Sequence, residues 1–256
     1  FPDYAHVNDA SLISNKLFGD GIASEFPKES LRNYYRRSSY NQLEIQGAVL
    51  GWHTMQHARS WYTTTYPNEN DANRAIILEV VQAFDATHDF AQYDNDGDGE
   101  VDYFAVIWAG QDNGWGNFWW GYQWSLQNPV TADGVSFRTF SWQWESRPVG
   151  TAFQASTIIH ETGHALGLPD YYDYDSSVGP GGGVGGLDMM DGNYADHNAF
   201  SKFMLEWLTP KVVPAGTSNL VLRALAGNPD AVTVMPNMAA NAPYSEYFLV
   251  ENRYRT

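Results

Sequence analysis

The chain contains no cysteine, which excludes disulfide staples and thiolate ligands, so any metal it holds must sit on histidine, carboxylate or carbonyl oxygen. It is also poor in positive charge: 14 Lys and Arg stand against 30 Asp and Glu, for a formal charge of −16. Phosphate recognition needs clustered cations, so neither nucleic acid nor anionic lipid is expected as a partner. No run reaches the roughly 18 apolar residues that a spanning helix requires, and no membrane insertion is expected. The opening FPDYAHVNDA has no initiator Met and no charged-then-apolar signal pattern, and reads as a processed or chosen start. What is present is core material: 256 residues, 43% hydrophobic and 15% aromatic, enough for one sizeable domain or two small lobes.

Periodicity along the chain predicts an α+β fold with no internal repeat. PKESLRNYYRRSSYN reads as a helix with Leu31 and Tyr34 or Tyr35 on one side, and QLEIQGAVLGW, with Leu43, Ile45 and Val49, as strand. DANRAIILEVVQAFDATHDF reads as a well-buried helix capped by Asp71. DYFAVIWAG is a short apolar run of the kind found in inner strands. Residues 108–147, dense in Trp, Gly and Asn, read as loops plus an edge strand or hairpin, with VSFRTFSWQWES alternating like a strand and the aromatics of NGWGNFWWGYQW expected to pack. Thr151 and Gln154 resemble a capping box before AFQASTIIHETGHALG, a helix stopped by Gly167 and Pro169. Beyond the glycine-rich SSVGPGGGVGG, NAFSKFMLEWL returns to helical spacing through Phe200, Phe203, Met204 and Trp207, and NLVLRAL, AVTVM and EYFLVENR read as strands.

The chemistry concentrates in HETGHALGLPDYYD, residues 160–173. On a helix, His160 and His164 lie about 40° apart on one face, where both imidazoles reach a common ion. Glu161, offset by about 100°, stands beside that ion as a base for the water that a zinc ion acidifies. A catalytic zinc needs a third protein ligand, which the helix cannot supply. Gly167 can take the left-handed conformation that turns the chain back, and Asp170 is then the nearest carboxylate, ahead of Asp173 and Asp175.

H-E-x-x-H-x-x-G-x-x-D is the aspartate-ended form of the extended zinc motif of metzincin-type metallopeptidases. LRNYYRRSSYNQLEIQGAVLGW, YDNDGDGEVDYFAVIWAG, HETGHALGLPDYYD, MMDG before FSKFMLEWL, and EYFLVENR resemble, in this order, the catalytic domain of the M6 peptidases, the immune inhibitor A-like family. The resemblance implies a metzincin-like fold: a twisted mixed sheet with a buried helix and a zinc-binding helix in an N-terminal lobe (about 1–167), and a smaller C-terminal lobe (168–256) after a Met-turn. Met190, directly before Asp191-Gly192, is the better match to that turn than Met189. The resemblance further implies a secreted zinc endopeptidase acting on proteins or peptides, made with a propeptide, stabilised by calcium and often followed by further domains; separately, the chain is expected to be a monomer. Similar proteins continue past LVENRYRT, so the chain is expected to be a fragment or trimmed product. Tyr194, just after the turn, is a candidate donor to the tetrahedral oxyanion, and His197 a candidate for the primed side of the cleft.

YDNDGDGEVD places Asp94, Asp96 and Asp98 at alternate positions, then Gly99, Glu100 and Asp102. The acids fill positions 1, 3, 5, 7 and 9 of a calcium loop, Glu100 through its backbone carbonyl, while position 12 is Ala105, so a structural calcium site is expected rather than a helix-loop-helix sensor. Five acids in nine positions repel one another unless a divalent cation neutralises them. The function expected is peptide hydrolysis on zinc. The alternatives are a calcium-dependent binding or adhesion module on the same scaffold, presenting the Trp-rich loops, and a zinc hydrolase of a non-peptide bond.

Overall fold

The computed structural model describes residues 1–179, 181–213, 219–234 and 246–253. Pro180 and Met235, which belong to two of the runs read above, lie outside the described residues. In chain order the elements are α1 (Ala10–Phe18), α2 (Leu31–Ser38), α3 (Arg59–Thr65), α4 (Glu69–Phe84), β1 (Phe104–Trp108), β2 (Tyr122–Ala132), β3 (Val135–Trp144), α5 (Ser156–Ala165), α6 (Met189–Gly192), α7 (Ala199–Met204), β4 (Lys211–Val213), β5 (Ala231–Val234) and β6 (Phe248–Glu251). The fold is α+β, as expected, with two mixed three-stranded sheets ordered β1-β3-β2 and β4-β5-β6.

In the first sheet β1 runs parallel to β3, and β2 forms an antiparallel hairpin with β3 whose register shifts between Ser125 and Val130. β1 therefore lies at an edge among the described residues, and the inner strand is β3. The apolar run of β1 has another cause: both its faces are covered. Phe104, Val106 and Trp108 join a cluster with Ile76, Ile77 and Val81 of α4, while Ala105 and Ile107 pack on the opposite side with Ile158 and Ile159 of α5 and Tyr34 and Tyr35 of α2. The Tyr35 hydroxyl donates to the Ile159 carbonyl at 2.7 Å, tying α2 to the helix that carries the zinc motif.

Several sequence expectations are corrected. No strand forms over Leu43–Trp52; Leu43, Ile45, Val49 and Trp52 pack on the second cluster without ladder pairing, and Gly51 takes a positive φ of 99° that interrupts any β run. The cap of α4 is Asn68, whose side chain accepts from the Asp71 N–H, not Asp71 itself. The capping box is absent: α5 starts at Ser156 after Ala155, and the Thr151 hydroxyl donates to Pro148 O at 2.7 Å instead. NLVLRAL contributes only an isolated bridge, Ala224 to Asn252. In α7 the expected apolar stripe fails, since Phe200 and Met204 are exposed and Ser201 and Lys202 are buried. That helix turns toward two carboxylates, the buried Asp188 and the partly buried Asp196: Ser201 donates to Asp188 and Lys202 pairs with Asp196 at 2.8 Å. In the Trp-rich stretch, packing accounts for Phe118 and Trp119, whereas Trp115 and Trp124 are 65% and 59% exposed.

Candidate metal centre and active site

α5 puts His160 and His164 on one face, one turn apart. His160 Nδ1 lies 3.0 Å from Met189 O and His164 Nδ1 lies 2.8 Å from Leu168 O. A carbonyl can only accept, so both Nδ1 atoms carry hydrogen and both Nε2 atoms are left free to face inward. They lie 3.1 Å apart. Gly167, at φ 99°, reverses the chain as expected and brings Asp170 Oδ1 to 2.9 Å from His160 Nε2 and 3.3 Å from His164 Nε2.

Three atoms that in their neutral or anionic forms only accept hydrogen bonds thus face one another with no donor between them. Such a set is held together only by added protons or by a cation. A tetrahedral ion with bonds of about 2.0–2.1 Å places its ligand atoms about 3.3–3.4 Å apart, close to the spacing seen here. The charge balance agrees. Burial alone would lower the pKa of His160 and of His164, but hydrogen bonding to Asp170 and the nearby Glu161 charge outweigh it, and both stand above the ordinary histidine value. Burial would likewise raise Asp170, yet hydrogen bonds from His160, His164 and Tyr174 hold it well below the usual carboxylate range.

Glu161 is buried, and its carboxylate lies within 4.8 Å of both imidazole donor atoms, forming with them a candidate zinc-binding cluster. Asp170 Oδ1 also faces both Nε2 atoms, at 2.9 and 3.3 Å. Burial pushes the Glu161 pKa up to about 7, with the two histidines pulling the other way. A carboxyl titrating there can both take and return a proton near neutrality.

The sequence reading missed four residues that build the site's surroundings. The Tyr174 hydroxyl donates to Asp170 Oδ2, the oxygen turned away from the histidines. The Tyr172 ring stacks over His160 with centroids 6.4 Å apart. Gly163, one of the unspecified positions of the motif, faces the Met190 sulfur, and Asp188 caps α6 beneath the histidines. The two tyrosines lie two and four residues after Asp170, and that nearness was the signal available. Met190 is fully buried, with its sulfur against Gly163 of α5.

Other expected residues fall elsewhere. His197 is fully buried, facing Asp188 and surrounded by Tyr34, Tyr35 and Trp207, so it does not line the cleft; the aromatic packing that encloses it also removes it from substrate. Tyr194 is 70% exposed, at the rim of a cavity of about 400 Å3 bordered by Arg147, Gln154, Ser156 and Thr157, next to the start of α5. Asp173 and Asp175 accept from backbone N–H groups of their own turn. In the acidic loop, Asp94, Asp96 and Asp102 bring carboxylate oxygens within 4.8 Å of one another. Asp98 instead accepts from the Glu100 N–H, and the Glu100 carboxylate pairs with Arg138 at 2.7 Å.

Residues 4–201 match the description of the immune inhibitor A peptidase M6 catalytic domain. The chain belongs to this family. Among curated proteins it is 27% identical over 200 residues to the pre-pro-metalloprotease PrtV of Vibrio cholerae serotype O1 strain M66-2, covering 66% of this chain and 21% of that protein. It is 25% identical over 227 residues to immune inhibitor A of Bacillus thuringiensis subsp. alesti, covering 75% of this chain and 33% of that protein. The chain thus matches about a fifth to a third of the length of these relatives. The His160–Glu161–His164 cluster is consistent with a metzincin-type active site, and no helix is long and apolar enough to cross a membrane among the described residues.

Proposed function

We propose that the chain is the catalytic module of a zinc-dependent endopeptidase, with His160, His164 and Asp170 as ligands and Glu161 as general base. The observation that carries this reading is the convergence of His160 Nε2, His164 Nε2 and Asp170 Oδ1 at 2.9–3.3 Å with no hydrogen-bond donor among them. When bound there, zinc supplies Lewis acidity that polarises a carbonyl and acidifies water. Glu161 takes the proton of the attacking water and delivers it to the departing amine; its raised pKa suits both transfers. Tyr172 and Tyr174 hold the ligand side chains in place. The exposed phenol of Tyr194 is the proposed donor to the tetrahedral oxyanion, supported by its place beside the cavity at the start of α5.

The Gln123 backbone lies beside Glu161, at the end of β2, which is an edge strand. An extended peptide adding to that edge would present a scissile bond to the metal face, which favours a polypeptide substrate over other zinc-hydrolase substrates. Structural calcium on the 94–102 loop is supported by the convergence of Asp94, Asp96 and Asp102 and by Asp94 Oδ1 accepting from Gly97 and Asp98 N–H. Two lobes meeting at Gly167, secretion, a propeptide and further domains are part of the same reading, drawn from the relatives; one of these is named a pre-pro-metalloprotease.

The test is cleavage of casein or gelatin by purified protein, with Glu161→Ala as control. Cleavage by the wild type alone supports the reading. An inert wild type carrying full zinc favours the binding module that keeps the zinc scaffold.

A further inference from the structure

Beneath the metal centre lies a carboxylate that the proposed reaction does not use. Asp188 is fully buried, and both its oxygens are saturated. Oδ1 accepts from the Met190 N–H at 2.8 Å and faces His197 Nδ1 at 3.2 Å. Oδ2 accepts from the Asn198 N–H at 2.7 Å and from the Ser201 hydroxyl at 2.7 Å. An uncompensated buried carboxylate costs several kcal/mol, and these donors remove that cost.

The turn that Asp188 caps touches the metal centre at three points. Met189 O accepts from His160 Nδ1, fixing the tautomer and the angle of that ring. Met190 O accepts at 2.9 Å from the N–H of Tyr171, the residue after Asp170. The Met190 sulfur packs against Gly163 between the two histidines. One capped turn therefore sets two of the three proposed ligands.

We propose that Asp188 is a positioning residue for zinc: by locking the Met189–Gly192 turn it aims His160 and the Asp170 segment, so that its loss weakens metal binding without removing a ligand. The inference rests on the zinc reading above. It also gives His197 and Ser201 a place, as buried supports of Asp188 rather than substrate contacts.

Asparagine cannot replace this residue. Each Asp188 oxygen accepts one backbone N–H, from Met190 or from Asn198, and neither amide can reverse. Either orientation of an Asn side chain sets its NH2 group against one of them, leaving a buried donor facing a donor.

The test is zinc affinity, measured by competition with a chromophoric chelator on purified protein well below the melting temperature. Asp188→Asn is expected to bind zinc about 10–100-fold more weakly than wild type and to alter the visible spectrum of the cobalt-substituted protein. Leu126→Ala, in the cluster on the far side of the first sheet, serves as the destabilised control that leaves affinity and spectrum unchanged. An Asp188→Asn protein whose affinity stays within about twofold of wild type while its melting temperature falls like the control overturns the inference. If Asp188→Asn does not fold, Ser201→Ala decides: weaker zinc binding supports the proposal and unchanged affinity overturns it. A wild type that binds no zinc sinks the metal reading itself, a different result from a variant that binds as well as wild type.

Discussion

The Met190 sulfur occupies the place where a side chain at position 163 would begin: a Cβ built on Gly163 meets it at 2.4 Å. Both residues lie in the packed layer between α5 and the Met189–Gly192 turn, where Met190 is fully buried. At Gly163 of α5 anything larger displaces that turn.

Gly163→Ala is therefore expected to destabilise the protein although Ala favours helix. Overpacking costs about 1–3 kcal/mol, and the helix gain of about 1 kcal/mol offsets only part of it. Thermal unfolding should show a lower melting temperature, and the displaced Met189 carbonyl should weaken zinc binding as well. A variant as stable as wild type would mean that Met190 repacks freely.

Glu161→Gln is expected to keep its zinc and lose about 10²–10⁴ in kcat/KM, since the amide neither accepts nor returns a proton. Glu161 works as the carboxylate, so activity should fall as pH drops through its pKa. Burial places that pKa at about 7 in the metal-free protein. A bound cation favours the charged form and moves the acid limb of the profile below that value. An acid limb identical in wild type and variant would assign it to another group.

Zinc must displace protons from His160 and His164, whose pKa values stand above the ordinary one. Affinity should then fall steadily as pH drops through the neutral range, with proton release visible in calorimetry as a dependence on buffer ionisation enthalpy. The metal-free protein should behave oppositely. A raised folded-state pKa stabilises below the unfolded value and is lost as pH rises through the folded one, which applies to both histidines and to Glu161. Asp170, held low, contributes stability that disappears only on acidification. Melting curves from pH 5 to pH 8 should therefore show the gap between zinc-bound and metal-free protein widening with pH.

Calcium binding to the acidic loop should raise the melting temperature by roughly 5–10 °C at about one hundred times its dissociation constant. The loop anchors the start of β3, with the Ser136 N–H donating to Gly99 O and the Val101 N–H to Ser136 O. Asp96→Asn removes one charge and keeps an acceptor for the Asp98 N–H, so it should shift the calcium titration to higher concentration with little change in the calcium-free melting temperature. A calcium-independent melting temperature would leave the loop as a solvated acidic turn.

Much of the proposed metal centre was legible because it is local: His160, Glu161, His164, Gly167 and Asp170 lie within one helix and one turn, where spacing determines direction. The acidic loop was legible only in part: Asp94, Asp96 and Asp102 bring their carboxylates together, while the Asp98 carboxylate turns to the Glu100 N–H. What could not be read depends on contacts distant in sequence. The edge position of β1 follows from strand order, His197 was read as lining the cleft because nothing near it in sequence announces the aromatic cage around it, and α7 buries Ser201 and Lys202 because carboxylates at Asp188 and Asp196 await them. Hydrophobic periodicity does not register a helix face selected by buried charge.

The most direct measurement is a zinc titration of metal-free protein, following casein cleavage and bound metal in the same samples. The account predicts no cleavage without zinc, a linear rise that saturates at one zinc per chain, and no cleavage by fully loaded Glu161→Gln. Undiminished cleavage by protein shown to contain no metal would contradict it.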